Sequence, residues 1–260
     1  MSNKVADKIK QYKQQFDSDE LGVERYLSSH QHKDPKSGIQ YIGIEIECYS
    51  KMNRISLQKL FFKYDLEEYA MIGNDSSIHP NVDEEHYNTF ELRLLIPQTE
   101  LNMILKKFGR VFRIARLKVN STCGLHVHID MRQRDVEKSF QKFLNFQDAL
   151  FAIVEKDRWN NIFCVLTTDE DRDDHHQAVN YSAYDEHETI EIRIHHGCVD
   201  TEQIFKWVSL LINVVDGKNV PQARSKKDVL KWKGLSKKLR GYVSRNFKPE
   251  WYSEKEGFSD

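Results

Sequence analysis

The sequence predicts an α+β fold: a largely antiparallel sheet with helices packed on one face. Two observations carry that expectation. Four segments alternate apolar and ionisable side chains one for one, as a strand with one wet face does. Amphipathic segments with apolar residues at helical spacing fall between them. If the apolar strand faces pack on those helices, the ionisable faces share the opposite surface.

Along the chain, residues 1–37 read as a polar lead-in with a helix over 5–16, ended by the turn-like KDPKSG. The core, 38–218, opens with the strand YIGIEIEC (41–48), which puts Glu45 and Glu47 on one face and Ile44 and Ile46 on the other. TFELRLLI (89–96) sets Glu91 with Arg93 and keeps Phe90, Leu92 and Leu94 behind them. A helix over 100–115 follows a Gln-Thr start signal. CGLHVHID (123–130) groups His126, His128 and Asp130 opposite Leu125, Val127 and Ile129. A helix over 136–155 follows Asp135, and Trp159 and Phe163 read as core residues. The run TTDEDRDDHH reads as a charged loop. TIEIRIHH (189–196) alternates Ile190, Ile192 and Ile194 with Glu191, Arg193 and His195, and a helix over 202–215 follows Asp200-Thr201. The last segment, 219–260, is a basic amphipathic extension with Val229, Trp232, Leu235, Leu239 and Tyr242 near helical spacing. Packing of Trp232 and Leu235 on the core is its preferred reading, ahead of an arm for nucleic acid.

Composition narrows the function classes. The 260 residues are 30% charged and 39% hydrophobic with a net charge of -1, which speaks against a protein whose main work is coating nucleic acid. The first residues lack an apolar run of signal-peptide length and WVSLLINVV is too short to span a bilayer, so a cytoplasmic protein without a membrane partner is expected. Cys48, Cys123, Cys164 and Cys198 form no CxxC pair and read as reduced thiols. Cys123 beside Gly124 reads as a small buried residue at a tight spot rather than a nucleophile. No GxxxxGK[ST], GxGxxG or GxSxG occurs, so P-loop, Rossmann and serine-hydrolase chemistry lack their parts.

The strand acids point to metal. Two carboxylates about 4 Å apart repel by roughly 4 kcal/mol at an effective dielectric of about 20, and either protonation or bound cations relieve that. Carboxylates with an occasional imidazole suit Mg²⁺ or Mn²⁺.

The order of these motifs, IGIEIE at 42–47, then Glu91-x-Arg93, CGLHVHI at 123–129 and TIEIRIHHGCVD at 189–200, resembles the amidoligase family of carboxylate–amine ligases, relatives of glutamine synthetase and glutamate–cysteine ligase. The resemblance covers residues 39–215. It implies a half-barrel sheet like the catalytic domain of glutamine synthetase, and an ATP-dependent ligase that joins a small-molecule or peptide carboxylate to an amine through an acyl phosphate. By position it assigns Glu45, Glu47, Glu91, His126 and Glu191 to metal ions. His128 falls near the nucleotide, and Arg193 at substrate and transferring phosphate. Asp75, in GNDSSI, matches an Asp-Gly-Ser substrate turn with Ser76 in place of Gly. Asn180 matches a nucleotide-contacting Asn, and His175 and His176 stand where a basic residue is usual. A metal-dependent hydrolase built on His126, His128 and the acids is the alternative enzyme; a non-catalytic nucleic-acid-binding module is the alternative binder.

Overall fold

The computed structural model describes residues 38–84, 86–159, 161–169 and 174–255. The helix expected over 5–16 lies outside them, as do residues 170–173 of the charged run. The protein is α+β, with six strands in antiparallel pairings and eight α-helices among the described residues. No helix among them is long and apolar enough to cross a membrane. The described residues divide into two compact units, residues 38–123 with 197–202, and residues 124–196 with 203–255.

In the first unit, β1 (Tyr41–Ser50) pairs with β3 (Asn88–Pro97) over its full length, and β2 (Ala70–Gly73) pairs along β3. The expected alternation holds: Ile42, Ile44, Ile46 and Cys48 of β1 are wholly buried, as are Phe90, Leu92, Leu94 and Ile96 of β3. Helix α1 (Arg54–Lys63) starts at Asn53, whose side chain accepts the Ser56 N–H, an N-cap worth about 1 kcal/mol. Helix α2 (Leu101–Ala115) buries Leu101, Ile104, Leu105, Phe108, Val111, Phe112 and Ala115. That three-and-four spacing is the stripe read from the sequence. A 3₁₀ turn, Gln98–Glu100, precedes it, so the α-helix begins one residue later than expected. The edge-on pair Phe61 and Phe108, 5.6 Å between centroids, joins α1 to α2.

In the second unit, β6 (Thr189–His196) is flanked by β4 (Gly124–Asp130) and the short β5 (Val179–Asn180). Helix α3 (Val136–Phe151) starts at Asp135, whose carboxylate accepts the Lys138 N–H. It stops four residues short of the expected end. The carbonyl of Ala152 accepts the N–H of Lys248 instead of continuing the helix, and residues 152–154 turn inside the core. The short helix α4 (Ala183–His187) lies between β5 and β6, and α5 (Thr201–Asp216) follows β6.

The basic final segment breaks into α6 (Lys226–Lys231), α7 (Lys237–Asn246) and α8 (Trp251–Glu254). Gly234 sits in the break, where a Cβ would lie 2.4 Å from the Trp232 ring. The guanidinium of Arg240 donates to the carbonyls of Leu230, Trp232 and Leu235, satisfying the backbone that the interruption exposes. Trp232 and Leu235 are buried, as the packing reading expects. Trp251 stacks on Phe151 at 4.6 Å and its indole N–H donates to Asp148. Trp159 is buried beside it, with its N–H on the Phe151 carbonyl. Phe163, expected in the core, is half exposed. It follows a turn in which Asn161 caps its N–H, so the chain is directed along the surface there.

Candidate functional site

In the first unit the ten-residue register of β1 on β3 sets Glu45 opposite Arg93 and Glu47 opposite Glu91. Two acids facing each other across a strand pair repel. Part of the remedy is Arg93, whose Nε donates to Glu91 Oε2 at 2.6 Å, whose Nη2 also pairs with Glu91, and which lies 3.8 Å from Glu45 Oε1. A protein cation therefore stands among acids for which the sequence pattern suggested metal or protonation. Asp75 follows β2. Its Oδ1 accepts both the N–H and the hydroxyl of Ser77, at 2.8 and 2.6 Å, an Asx turn that fixes the carboxylate locally. Ser76 is not among the positive-φ residues, so the turn does not require the glycine of the Asp-Gly-Ser pattern.

In the second unit Glu191 is the centre. Register places it opposite His128 of β4 on one side and Asn180 of β5 on the other. Asn180 Nδ2 donates to Glu191 Oε2 at 2.7 Å, and Arg193 Nη1 donates to Oε1 at 2.6 Å. His126 Nδ1 and His128 Nε2 lie 3.4 and 3.8 Å from the same Oε1. The Glu191 side chain is only 5% exposed. A buried carboxylate costs several kcal/mol in lost hydration unless partners replace the water, and here an amide and a guanidinium do so, with two imidazoles close by. Around this centre, His128 Nδ1 meets the Thr189 hydroxyl at 3.1 Å, Asn180 Oδ1 accepts from Ser182, and Arg193 Nε donates to the Phe163 carbonyl. Arg158 holds the strand itself through the carbonyls of Arg193 and Ile194.

Two residues grouped with these by alternation lie elsewhere. Asp130 turns onto Arg132, accepting from its Nε and its backbone N–H, and so closes the exit of β4. His195 does not share the face of Glu191 and Arg193. Leu125 pairs with His195 while Val127 pairs with Ile192. Two residues of β4 thus match three of β6, and the bulge puts His195 on the side of Ile192. The His195 ring packs at 4.8 Å on Trp207 of α5, and Nδ1 donates to the His196 carbonyl. Burial, then the neighbouring His196, drives its pKa from 6.5 down to about 3; it is a neutral core imidazole.

Cys123 fits the tight-spot reading. A Cβ on Gly197 would come within 2.5 Å of the Cys123 Cβ, and the Gly197 N–H donates to the Cys123 carbonyl at 2.7 Å. Burial pushes the Cys123 thiol up to about 11, which removes the thiolate a nucleophile needs.

The site residues expected from the sequence thus gather in two sets. Glu45, Glu47 and Glu91 lie on adjacent strands of one unit; His126, His128, Asn180, Glu191 and Arg193 converge in the other. Thr189 and Arg158 were not singled out, and Arg93, placed on one face with Glu91, was given no role. A signal existed for Arg93, because Glu91-Leu92-Arg93 repeats the Glu191-Ile192-Arg193 pattern, and both pairs form the same 2.6 Å contact between residues two apart. Within the second set the donor chemistry, one carboxylate and two imidazoles, can hold a divalent cation. Comparison with models of known protein families finds no match, and no curated protein matches the chain.

Proposed function

We propose that this protein is an ATP-dependent carboxylate–amine ligase acting in the cytoplasm, with the sheet forming a half-barrel of the glutamine-synthetase kind. The observation that carries the reading is the Glu191 centre. A buried carboxylate, two strand imidazoles, an asparagine and an arginine converge on residues that the motif resemblance independently assigns to metal, nucleotide and phosphate.

The chemistry asks for these groups. A carboxylate is a poor electrophile; Mg²⁺-ATP supplies the phosphoryl group that activates it, and an amine then displaces phosphate to leave an amide. In this reading Glu191 and His126 hold metal, with Glu45, Glu47 and Glu91 as the further acids and Mn²⁺ as an alternative ion. Carboxylate oxygens suit either hard cation, and an imidazole is an acceptable additional donor. Arg193 uses Nη1 on Glu191 and Nε on Phe163, which leaves further guanidinium N–H groups to stabilise charge on the transferring phosphoryl group. Its contact with Glu191 fixes the direction in which those donors point. His128, oriented by Thr189, and Asn180, oriented by Ser182, contact the nucleotide, and Asp75 contacts substrate from its Asx turn.

The test is ADP release from Mg²⁺-ATP in the presence of pooled carboxylates and amines. Release should require both pools and disappear in Glu191→Gln and Glu45→Gln; the more exposed Glu45→Gln should keep the wild-type melting profile, and Glu191→Gln, though less stable, should still melt in one cooperative transition above the assay temperature. Undiminished turnover in both variants would refute the assignment.

A second reading has one observation in its favour. His126, His128 and Glu191 form a two-histidine, one-glutamate set of the kind that holds catalytic zinc in hydrolases. Such an enzyme would act without ATP and would be indifferent to Arg193→Ala.

A further inference from the structure

A second group of metal-ligating side chains stands apart from the Glu191 centre. Asp174, His175 and His176 each place one ligand atom within 4.8 Å of the other two. His176 Nδ1 is 3.6 Å and His175 Nδ1 3.9 Å from Asp174 Oδ1, and the two imidazole rings lie 3.9 Å apart. Ligands of a tetrahedral ion with bonds of about 2.0 Å are separated by about 3.3 Å, so the two Asp174–His pairs need to close by about 0.3 to 0.6 Å and the imidazole pair by no more than about 1.5 Å, which rotation of exposed side chains supplies.

Consecutive residues seldom converge on one point, because neighbouring side chains in extended chain point to opposite faces. A turn solves that here, and backbone hydrogen bonds hold it. Asp174 Oδ1 accepts the His176 N–H at 2.9 Å, and the Asp174 carbonyl accepts the Gln177 N–H. On the other side Val165 clamps the segment, donating to the His176 carbonyl at 2.9 Å and accepting from Ala178 at 2.7 Å. The ring of Phe163 packs edge-on to His176 at 5.9 Å. Ordering of the ligands is thus already provided by the fold. Among the described residues no hydrogen bond engages the imidazole nitrogens of His175 or His176.

We propose that Asp174, His175 and His176 form a binding site for a divalent transition cation of the zinc and nickel class, distinct from the Glu191 centre. Two imidazoles and one carboxylate match borderline ions, whereas Mg²⁺ and Ca²⁺ favour all-oxygen sets. With side-chain exposures of 49%, 73% and 38% for Asp174, His175 and His176, the three donors lose little hydration on binding, and water completes the coordination.

The experiment titrates Zn²⁺, and separately Ni²⁺, into the full chain by calorimetry with Mg²⁺ in excess. The wild type is compared with the double variant His175→Ala/His176→Ala and with Glu191→Gln. One equivalent of transition ion should disappear, or weaken by at least about tenfold, in the double variant and persist in Glu191→Gln. Equal stoichiometry and affinity in wild type and double variant, absence of any bound equivalent in the wild type, or loss in Glu191→Gln alone would each overturn the proposal. Both histidines are surface residues, so the double variant should melt with the wild type. It reports on this turn even if the ligase reading fails, because it needs no activity.

Discussion

The buried imidazole of His195 makes the protein sensitive to acid in a way that can be calculated. Its pKa falls from 6.5 to about 3 in the folded chain, while the unfolded chain takes up the proton near 6.5. Above that pH both states are neutral and the folded state keeps its full stability. Below it the unfolded state gains a proton that the folded state refuses, so stability declines as pH falls, by about 1.4 kcal/mol per pH unit, and levels off only near the folded value. By about pH 5 the cost relative to neutral pH reaches about 2 kcal/mol. His196, also shifted downward by burial, acts in the same direction, so the variant must isolate one ring. His195→Gln does so, keeping a side-chain donor for the His196 carbonyl. Urea unfolding of wild type and variant from about pH 7.5 to about pH 5 should show the wild-type profile falling more steeply, by about 2 kcal/mol over the range. Parallel profiles would show that the ring reaches solvent or a carboxylate, and the bulge assignment would fall with it.

Trp251→Ala should cost about 3–5 kcal/mol in urea unfolding, because the indole is 1% exposed and stacked on Phe151; a cost below about 1 kcal/mol would mean that the final helices are not part of the second unit's core. The four thiols are buried, and burial pushes Cys123 and Cys198 up to about 11, so near pH 8 only about one in a thousand of these two is thiolate. A disulfide exchange reagent should therefore label native protein slowly and all four cysteines once denaturant is added; stoichiometric labelling within minutes in native buffer would contradict the burial.

The strands were legible in the sequence where one face is apolar and the other ionisable. β1, β3, β4 and β6 appear within a residue or two of the alternating segments, because burial on one side imposes period two on the chain. β2 and β5, four and two residues long, are too short to show a period and are held by partners distant in sequence. Helix α1 was not anticipated either; its apolar residues, Leu57, Phe61 and Phe62, form a short stripe within ten residues. The site was legible as residue types but not as pairings. Alternation placed Glu91 with Arg93, Glu191 with Arg193 and His126 with His128; it could not reveal that Asn180 donates to Glu191, since that depends on which strands pair. It misassigned His195 because a bulge carries no composition signal here. Continuity in the last segment was also over-read: the spacing of Val229, Trp232, Leu235, Leu239 and Tyr242 hid a break that Gly234 and Arg240 make possible.

The extra residue in β6 lets one strand serve two masters. Up to Arg193 the strand delivers ionisable groups to the Glu191 centre; two residues on, it delivers a ring to the helix side. Deleting Arg193 or Ile194 would restore unbroken alternation and leave His195 on the side of Ile192 against Trp207, so the extra residue is what allows Arg193 to reach the carboxylate without moving that ring. In related chains that lack the extra residue, an alignment drawn without a gap at this point would equate side chains from opposite sides of the strand.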